Sequence, residues 1–112
     1  MKKVEAVIRP ERLEPVLEEL RNLGYPGVTL TEVRGHGKQR GVTHIWRGTE
    51  YKVEFLPKMK LEVVILDEDL DKVTASVVRA ARTGSIGDGK VFVYDIQDVV
   101  RVRTGESGID AI

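Results

Sequence analysis

The chain has 112 residues, 41% of them apolar and 32% charged, which suits one globular domain and excludes two full ones. Eighteen basic residues offset eighteen acidic ones, so the broad attraction that drives non-specific nucleic-acid binding is missing, although a local basic cluster can still grip a few phosphates. There is no cysteine, hence no disulfide frame or thiolate metal site, and no apolar run reaches the ~20 residues of a membrane span. The opening residues lead straight into structure without a signal-peptide core, so the expectation is a soluble cytoplasmic protein.

Val4, Ala6 and Ile8 alternate with Lys3, Glu5 and Val7, which predicts a first strand ended by Arg9-Pro10. Val16, Leu17, Leu20 and Leu23 fall on one face of a helix that tolerates Pro15 only in its first turn and stops at Gly24. After the turn Tyr25-Pro26-Gly27, the alternation of Val28 and Leu30 with Thr29 and Thr31 predicts a second strand to about Arg34. From Gly35 to about Lys58 the pattern breaks. Tyr51, Val53 and Phe55 alternate, but 43–50 keep no steady period, and the stretch reads as a long protruding loop with partly extended arms. Residues 59–66 form the strongest strand. The acids Asp67, Glu68 and Asp69 then suit the start of a second helix whose apolar face is Leu70, Val73, Val77 and Ala81. Glycine-rich residues 83–90 break that helix, a fourth strand covers Val91 to Ile96, and Val99, Val100 and Val102 predict one more brief strand through Arg101 and Arg103.

The order β-α-β, long loop, β-α-β predicts an α+β, ferredoxin-like βαββαβ sandwich: a four-stranded antiparallel sheet with both helices on one face. The third strand reads as apolar on both faces, so further copies of the chain are expected to cover the other side of the sheet.

Glycine gathers at Gly35, Gly37 and Gly41 and again at Gly84, Gly87 and Gly89, both at strand ends, where backbone N–H groups can turn toward an anion. Each cluster carries a lysine, Lys38 or Lys90, and Arg101 and Arg103 sit at alternate positions of the tail. Three such elements in a neutral chain favour a polyphosphate site over ordinary surface turns. Residues 84–90 fit the opening of the Walker A pattern, but Val91 stands where Ser or Thr should hold Mg²⁺, and the glycines join a helix to a strand instead of the reverse. His36 and His44 lack a third ligand at a usable spacing, and no nucleophile elbow or acid/base pair is present. Phe92 and Tyr94 share a strand face as in an RNA-recognition platform; lacking the glycine and the first-strand aromatic of that pattern, they read as core packing.

Three segments carry a resemblance that spans the whole chain. Arg47-Gly48-Thr49-Glu50-Tyr51, residues 83–90 and Arg101-Val102-Arg103-Thr104-Gly105-Glu106 resemble, respectively, the T-loop tip, the B-loop and the C-loop of the bacterial P-II nitrogen-regulatory signal transduction proteins. The resemblance implies a single domain over 1–112, with a T-loop at about 37–55, a B-loop at 82–90 and a C-loop at 101–106. It also implies a homotrimer whose inter-subunit clefts bind ATP or ADP. Carried over by position, Val7, Thr29, Glu62 and Val64 surround the nucleoside. Gly35, Gly37, Lys38, Gly87, Asp88, Gly89 and Lys90 cradle phosphates, joined by Arg101 and Arg103 of the adjoining subunit. The resemblance further implies that Gln39 ligates a Mg²⁺ shared with the ATP phosphates and 2-oxoglutarate. Lys58 pairs with the keto acid's carboxylate, beside Gly37, Lys38, Arg40 and Gly41. Tyr51 matches a tyrosine that is uridylylated in many members, and modification and a pure contact role stay open for it; Thr49 matches a serine phosphorylated in others. Trp46, Arg47, Thr49 and Tyr51 are the expected contacts to partners such as ammonium transporters or nitrogen-assimilation enzymes. The implied role is a non-enzymatic sensor without nucleic-acid binding or a membrane span of its own; a weak ATPase and a ferredoxin-fold RNA-binding module are the alternatives.

Overall fold

The computed structural model describes residues 1–36, 42–46, 49–53 and 55–112, with the backbone alone for 42–46 and 49–53. Val4, Ala6 and Ile8 alternate along β1 (Lys2–Ile8) and are buried on the same side of the sheet as Leu61, Val63 and Ile65 of β5 (Leu56–Ile65). Antiparallel pairing sets Ala6 opposite Leu61 and Ile8 opposite Met59, so the period-2 patterns of the two strands meet in phase. On the other flank of β1 lies β6 (Gly89–Asp95), and on the other flank of β5 lies β2 (Thr29–Gly35). The four strands run β2-β5-β1-β6, all neighbours antiparallel, with both helices on the buried face: the ferredoxin-like α+β arrangement expected from the element order.

That face is closed by Val16 and Leu20 of α1 (Leu13–Asn22) and by Val73, Val77 and Ala81 of α2 (Leu70–Ala81). Each large aliphatic side chain removed from water there contributes roughly 1.5–3 kcal/mol, which makes this layer the main source of stability. The helix ends are secured individually. Gly24 stops α1 with φ at +89°, Gly24 N–H donating to Arg21 O at 3.0 Å and Tyr25 N–H to Leu20 O at 2.8 Å, the paired bonds of a Schellman cap. Arg12 donates through Nε and Nη2 to Ala80 O, at 2.9 and 2.7 Å, and so satisfies a carbonyl at the C-terminus of α2. Tyr25 is buried between the two βα units: its hydroxyl donates to Asp69 and accepts Leu66 N–H at 3.1 Å.

Two local expectations are corrected. The stretch between the second strand and the next is not a loop throughout, because β3 (Val42–Trp46) and β4 (Thr49–Val53) pair antiparallel, and β5 starts at Leu56 instead of beyond Pro57. Pro57 is tolerated there because it lies past the end of β1, where β5 has a neighbour on one side only. The brief last strand through Arg101 and Arg103 is absent among the described residues. Val100 makes one bridge to Ser107, and between them Gly105 N–H donates to Arg101 O at 2.8 Å and Arg101 N–H to Glu106 O at 2.8 Å, closing a turn.

Replacing Tyr25 by Phe removes one hydroxyl and leaves the Leu66 N–H without its acceptor, so the expected cost is about 1–2 kcal/mol. Urea unfolding checks this: the midpoint should fall with an unchanged slope, and an unaltered midpoint would mean that the hydroxyl holds nothing together.

Candidate functional site

The face of the sheet away from the helices carries Lys3, Glu5 and Val7 of β1, alternating with the buried set. Register builds it in rows. Thr29, Glu62, Glu5 and Phe92 lie across the four strands in one row, and Thr31, Lys60, Val7 and Lys90 in the next. Lys3 Nζ is 3.3 Å from a Glu62 carboxylate oxygen and lies 4.8 Å above the Tyr94 ring, while Tyr94 O–H donates to Glu5 at 3.2 Å. That bond to a carboxylate holds the phenolic proton and raises the Tyr94 pKa. Two expectations change here. The third strand of the sheet is not apolar on both faces, since Lys58, Lys60 and Glu62 occupy the open side, and Phe92 and Tyr94 are exposed on that side instead of packed in the core. A carboxylate beside Phe92 also makes a poor platform for a phosphate backbone.

At the end of the face where β1 finishes, three segments converge. One step beyond the pair Ile8–Met59, Arg9 stands across from Lys58 on one side and from Asp88 on the other. Lys58 Nζ donates to Gly87 O at 2.7 Å, and Arg9 donates through Nε to Asp88 at 3.0 Å and through Nη2 to Ile86 O at 2.8 Å. The Asp88 carboxylate also accepts Thr83 N–H and Gly84 N–H, each at 2.9 Å, and the Thr83 hydroxyl. These bonds, the Thr83 hydroxyl first, hold its pKa far below the usual carboxylate range. Partial burial, and then the Arg9 charge, lower the Lys58 pKa. Gly89 has no substitute: φ is +106° and a Cβ would sit 1.8 Å from Val7 O.

At the opposite end, where β1 begins, an open cleft of about 550 Å³ is lined by Gly27, Thr29, Glu62 and Val64, with Val99, Ala111 and Ile112 from the tail. The tail departs from this end, because Ile96 N–H donates to Met1 O at 3.1 Å directly after β6. Arg101 is held by Glu106 at 3.2 Å and by Asp110 O at 3.1 Å. Among the described residues no hydrogen bond or ion pair joins Arg101 or Arg103 to Gly87 or Lys90 of the same chain.

The structure thus sets Val7, Lys58, Gly87, Asp88, Gly89 and Lys90 at one end of the open face and Thr29, Glu62 and Val64 toward the other. From Glu62 to Lys58 is four residues of strand, roughly 13 Å. Gly35 lies against Lys58, a Cβ there meeting Lys58 Cγ at 3.3 Å. Gly37, Lys38, Gln39, Arg40, Gly41 and Arg47 lie outside the described residues. For Trp46, Thr49 and Tyr51 the backbone register alone is described, Trp46 opposite Thr49 and Tyr51 opposite His44. Exposed His36 stacks at a tilt on Phe55, with ring centroids 5.4 Å apart. The sequence reading missed Arg9, which its position one residue past the strand, in register with Lys58, could have revealed. No group of three or more metal-binding side chains occurs among the described residues.

Comparison with known proteins gives the family. The profile of the family "Nitrogen regulatory protein P-II" matches residues 1–106. The chain belongs to the P-II family. It is 53% identical over its full length to a nitrogen regulatory protein P-II of Pasteurella multocida and 52% to one of Rhizobium meliloti, each covered completely. A nitrogen regulatory protein P-II 2 of the methanogen Methanothermobacter thermautotrophicus is 51% identical over the whole chain and 97% of its own. No helix among the described residues is long and apolar enough to cross a membrane.

The electrostatics of this P-II chain predict an acid limit. Asp67, bonded to the terminal ammonium group, Asp69, bonded first to Tyr25, and Asp88 all have pKa values below the ordinary 3.8. Carboxylates that ionise more readily when folded stabilise fully above the unfolded value and lose that contribution as pH falls through the folded one. The thermal midpoint should therefore hold steady from neutral pH to about 5 and fall steeply below 4. In Asp88→Asn the fall should be shallower, and equal steepness would remove Asp88 from the group responsible.

Proposed function

We propose that this P-II family chain is a nitrogen and carbon signal transduction protein that works by binding, with ATP or ADP and, in the presence of Mg-ATP, 2-oxoglutarate as its effectors. The observation that carries the reading is the meeting of the Arg9 and Lys58 cations with the glycine loop, where Lys58 Nζ donates to Gly87 O at 2.7 Å. The Asp88 carboxylate beside these cations has its acceptor sites filled within the chain, so the corner presents N–H donors to an anion. The adenine end of the nucleotide is assigned to Val7, Thr29, Glu62 and Val64, and the phosphates to the backbone of Gly87, Asp88 and Gly89 with Lys90, joined by Gly35, Gly37 and Lys38.

Because the tail leaves the sheet at the end opposite the glycine loop, Arg101 and Arg103 are assigned to the cleft of a neighbouring copy, in a homotrimer. Gln39 is assigned as the protein ligand of Mg²⁺, which when bound relieves the repulsion between a triphosphate and a dicarboxylate. The dicarboxylate is assigned to Lys58 with the segment Gly37, Lys38, Arg40 and Gly41. Occupancy of that segment biases the excursion carrying Trp46, Arg47, Thr49 and Tyr51, through which the protein regulates ammonium transporters or nitrogen-assimilation enzymes in the cytoplasm; Tyr51 is the candidate for uridylylation. Binding is favoured over turnover because Asp88, the carboxylate bonded into the loop, has its acceptor sites filled by Arg9, Thr83 and Gly84 and so is not placed to take a proton from water.

Calorimetry with ATP, ADP and 2-oxoglutarate, with and without Mg²⁺, tests the reading. Either nucleotide should bind unaided, and 2-oxoglutarate should give heat only with Mg-ATP present. Lys58→Met should weaken 2-oxoglutarate by roughly 30-fold or more and ADP, which loses only the Lys58 bond behind its phosphate loop, distinctly less, by about three- to tenfold. Equal weakening of both ligands would overturn the role given to Lys58.

A further inference from the structure

We propose that Arg9 and Asp88 are positioning residues for phosphate binding: a brace that shapes the glycine loop for a nucleotide's phosphates without Asp88 itself touching them. The inference rests on the nucleotide reading above and deepens it. Its basis is the hydrogen-bond capacity of one carboxylate. Asp88 Oδ1 accepts Arg9 Nε and the Thr83 hydroxyl, and Oδ2 accepts Thr83 N–H and Gly84 N–H. An ionised carboxylate offers about four lone-pair sites, and all are taken within the chain. Asp88 therefore has nothing left for a ligand, and a second anion at the phosphates would oppose them if its charge were not already matched by Arg9.

The same bonds fix the backbone. Arg9 holds both ends of the segment 86–88, through Ile86 O and the Asp88 side chain, while Lys58 holds Gly87 O between them. With Ile86 and Gly87 carbonyls tied toward the cations, the amides that follow are oriented by the planarity of each peptide and have no bonding partner drawn from the brace. Further along, Gly89 is pressed on Val7 O, so the loop has a fixed point on each side. A cradle of amides ordered before the ligand arrives binds more tightly, since no loop ordering is charged against association.

The test compares ligands that differ only in phosphates. In wild type, Arg9→Gln, Asp88→Asn and the double variant, affinities for ADP and for adenosine are measured by calorimetry, with thermal unfolding as the check on folding. Each single variant should weaken ADP about tenfold and leave adenosine within about twofold, and the double variant should be no weaker than the singles, because both break one brace. Arg9→Lys, which keeps the charge but cannot span both oxygens, should fall between wild type and Arg9→Gln. If Asp88→Asn does not fold, the arginine variants still decide the matter. Normal ADP affinity in folded variants, or equal loss of ADP and adenosine, overturns the brace while the nucleotide reading stands. Wild type that binds neither ligand overturns that reading, and the brace with it.

Discussion

The antiparallel register between β1 and β5 is the constraint from which both halves of the molecule follow. Setting Ala6 against Leu61 and Ile8 against Met59 brings two alternating patterns into phase, so one face becomes the apolar layer under the helices. The same register fixes the other face. Glu5 meets Glu62, Val7 meets Lys60, and one step further Arg9 arrives beside Lys58. A slip of one residue would turn Leu61, Val63 and Ile65 to solvent and send Lys60 and Glu62 into the core, a loss of many kcal/mol that no turn could offset. Core and site are therefore specified together, and a sheet that folds at all delivers its cations to the glycine loop.

Charge in this chain is used mainly for geometry. Exposed ion pairs such as Lys2–Asp95 and Arg79–Glu19 contribute little to stability, typically under about 1 kcal/mol each. What they and their less exposed counterparts do is hold segments in place: Asp67 anchors the terminal ammonium group at 2.8 Å, and Arg9 anchors the loop at 86–88. The Asp88 carboxylate in the glycine loop is filled by Arg9, the Thr83 hydroxyl and two backbone amides, and the cations Lys58 and Lys90 border the loop. A neutral protein thus gathers cations at one corner without a positive surface, which disfavours a long polyanion.

Much of this was legible because strong periodicity leaves few options. Val4, Ala6 and Ile8, the helix faces around Leu20 and Val77, and the stop at Gly24 follow from spacing and from the special conformations of glycine. Elsewhere, spacing misled. Val99, Val100 and Val102 look like a strand, yet the following Thr104-Gly105 turn returns the chain before a ladder can form. The hairpin β3–β4 keeps no steady period because Ile45 interrupts the polar set Thr43, Glu50 and Lys52, and His44 and Thr49 interrupt the apolar set Val42, Trp46, Tyr51 and Val53; the pointer was the two-residue connection ending in glycine, Arg47-Gly48. Phe92 and Tyr94 resemble core residues in any sequence, and only the register, which sets them opposite Glu5 and Lys3 on the face away from the helices, exposes them. Arg9 was missed because a lone arginine before proline has no pattern of its own; register with Lys58 marks its place, but its meaning comes from a loop nearly eighty residues later.

The arrangement also bears on how two effectors would communicate. Lys58 belongs to β5 at the root of the long excursion, yet its ammonium group is bonded to Gly87 of the glycine loop. A carboxylate that recruits Lys58 must therefore compete with, or add to, a bond that shapes the phosphate site, so the two affinities are tied through one side chain. Under the proposed reading linkage would make that tie reciprocal: whatever a nucleotide did to a keto acid, the keto acid would do to the nucleotide by the same factor. A lysine fixed in the interior of one site would bind its anion and report nothing. Placed between two segments to which the proposed reading gives separate ligands, the same residue would turn binding into a comparison of two concentrations.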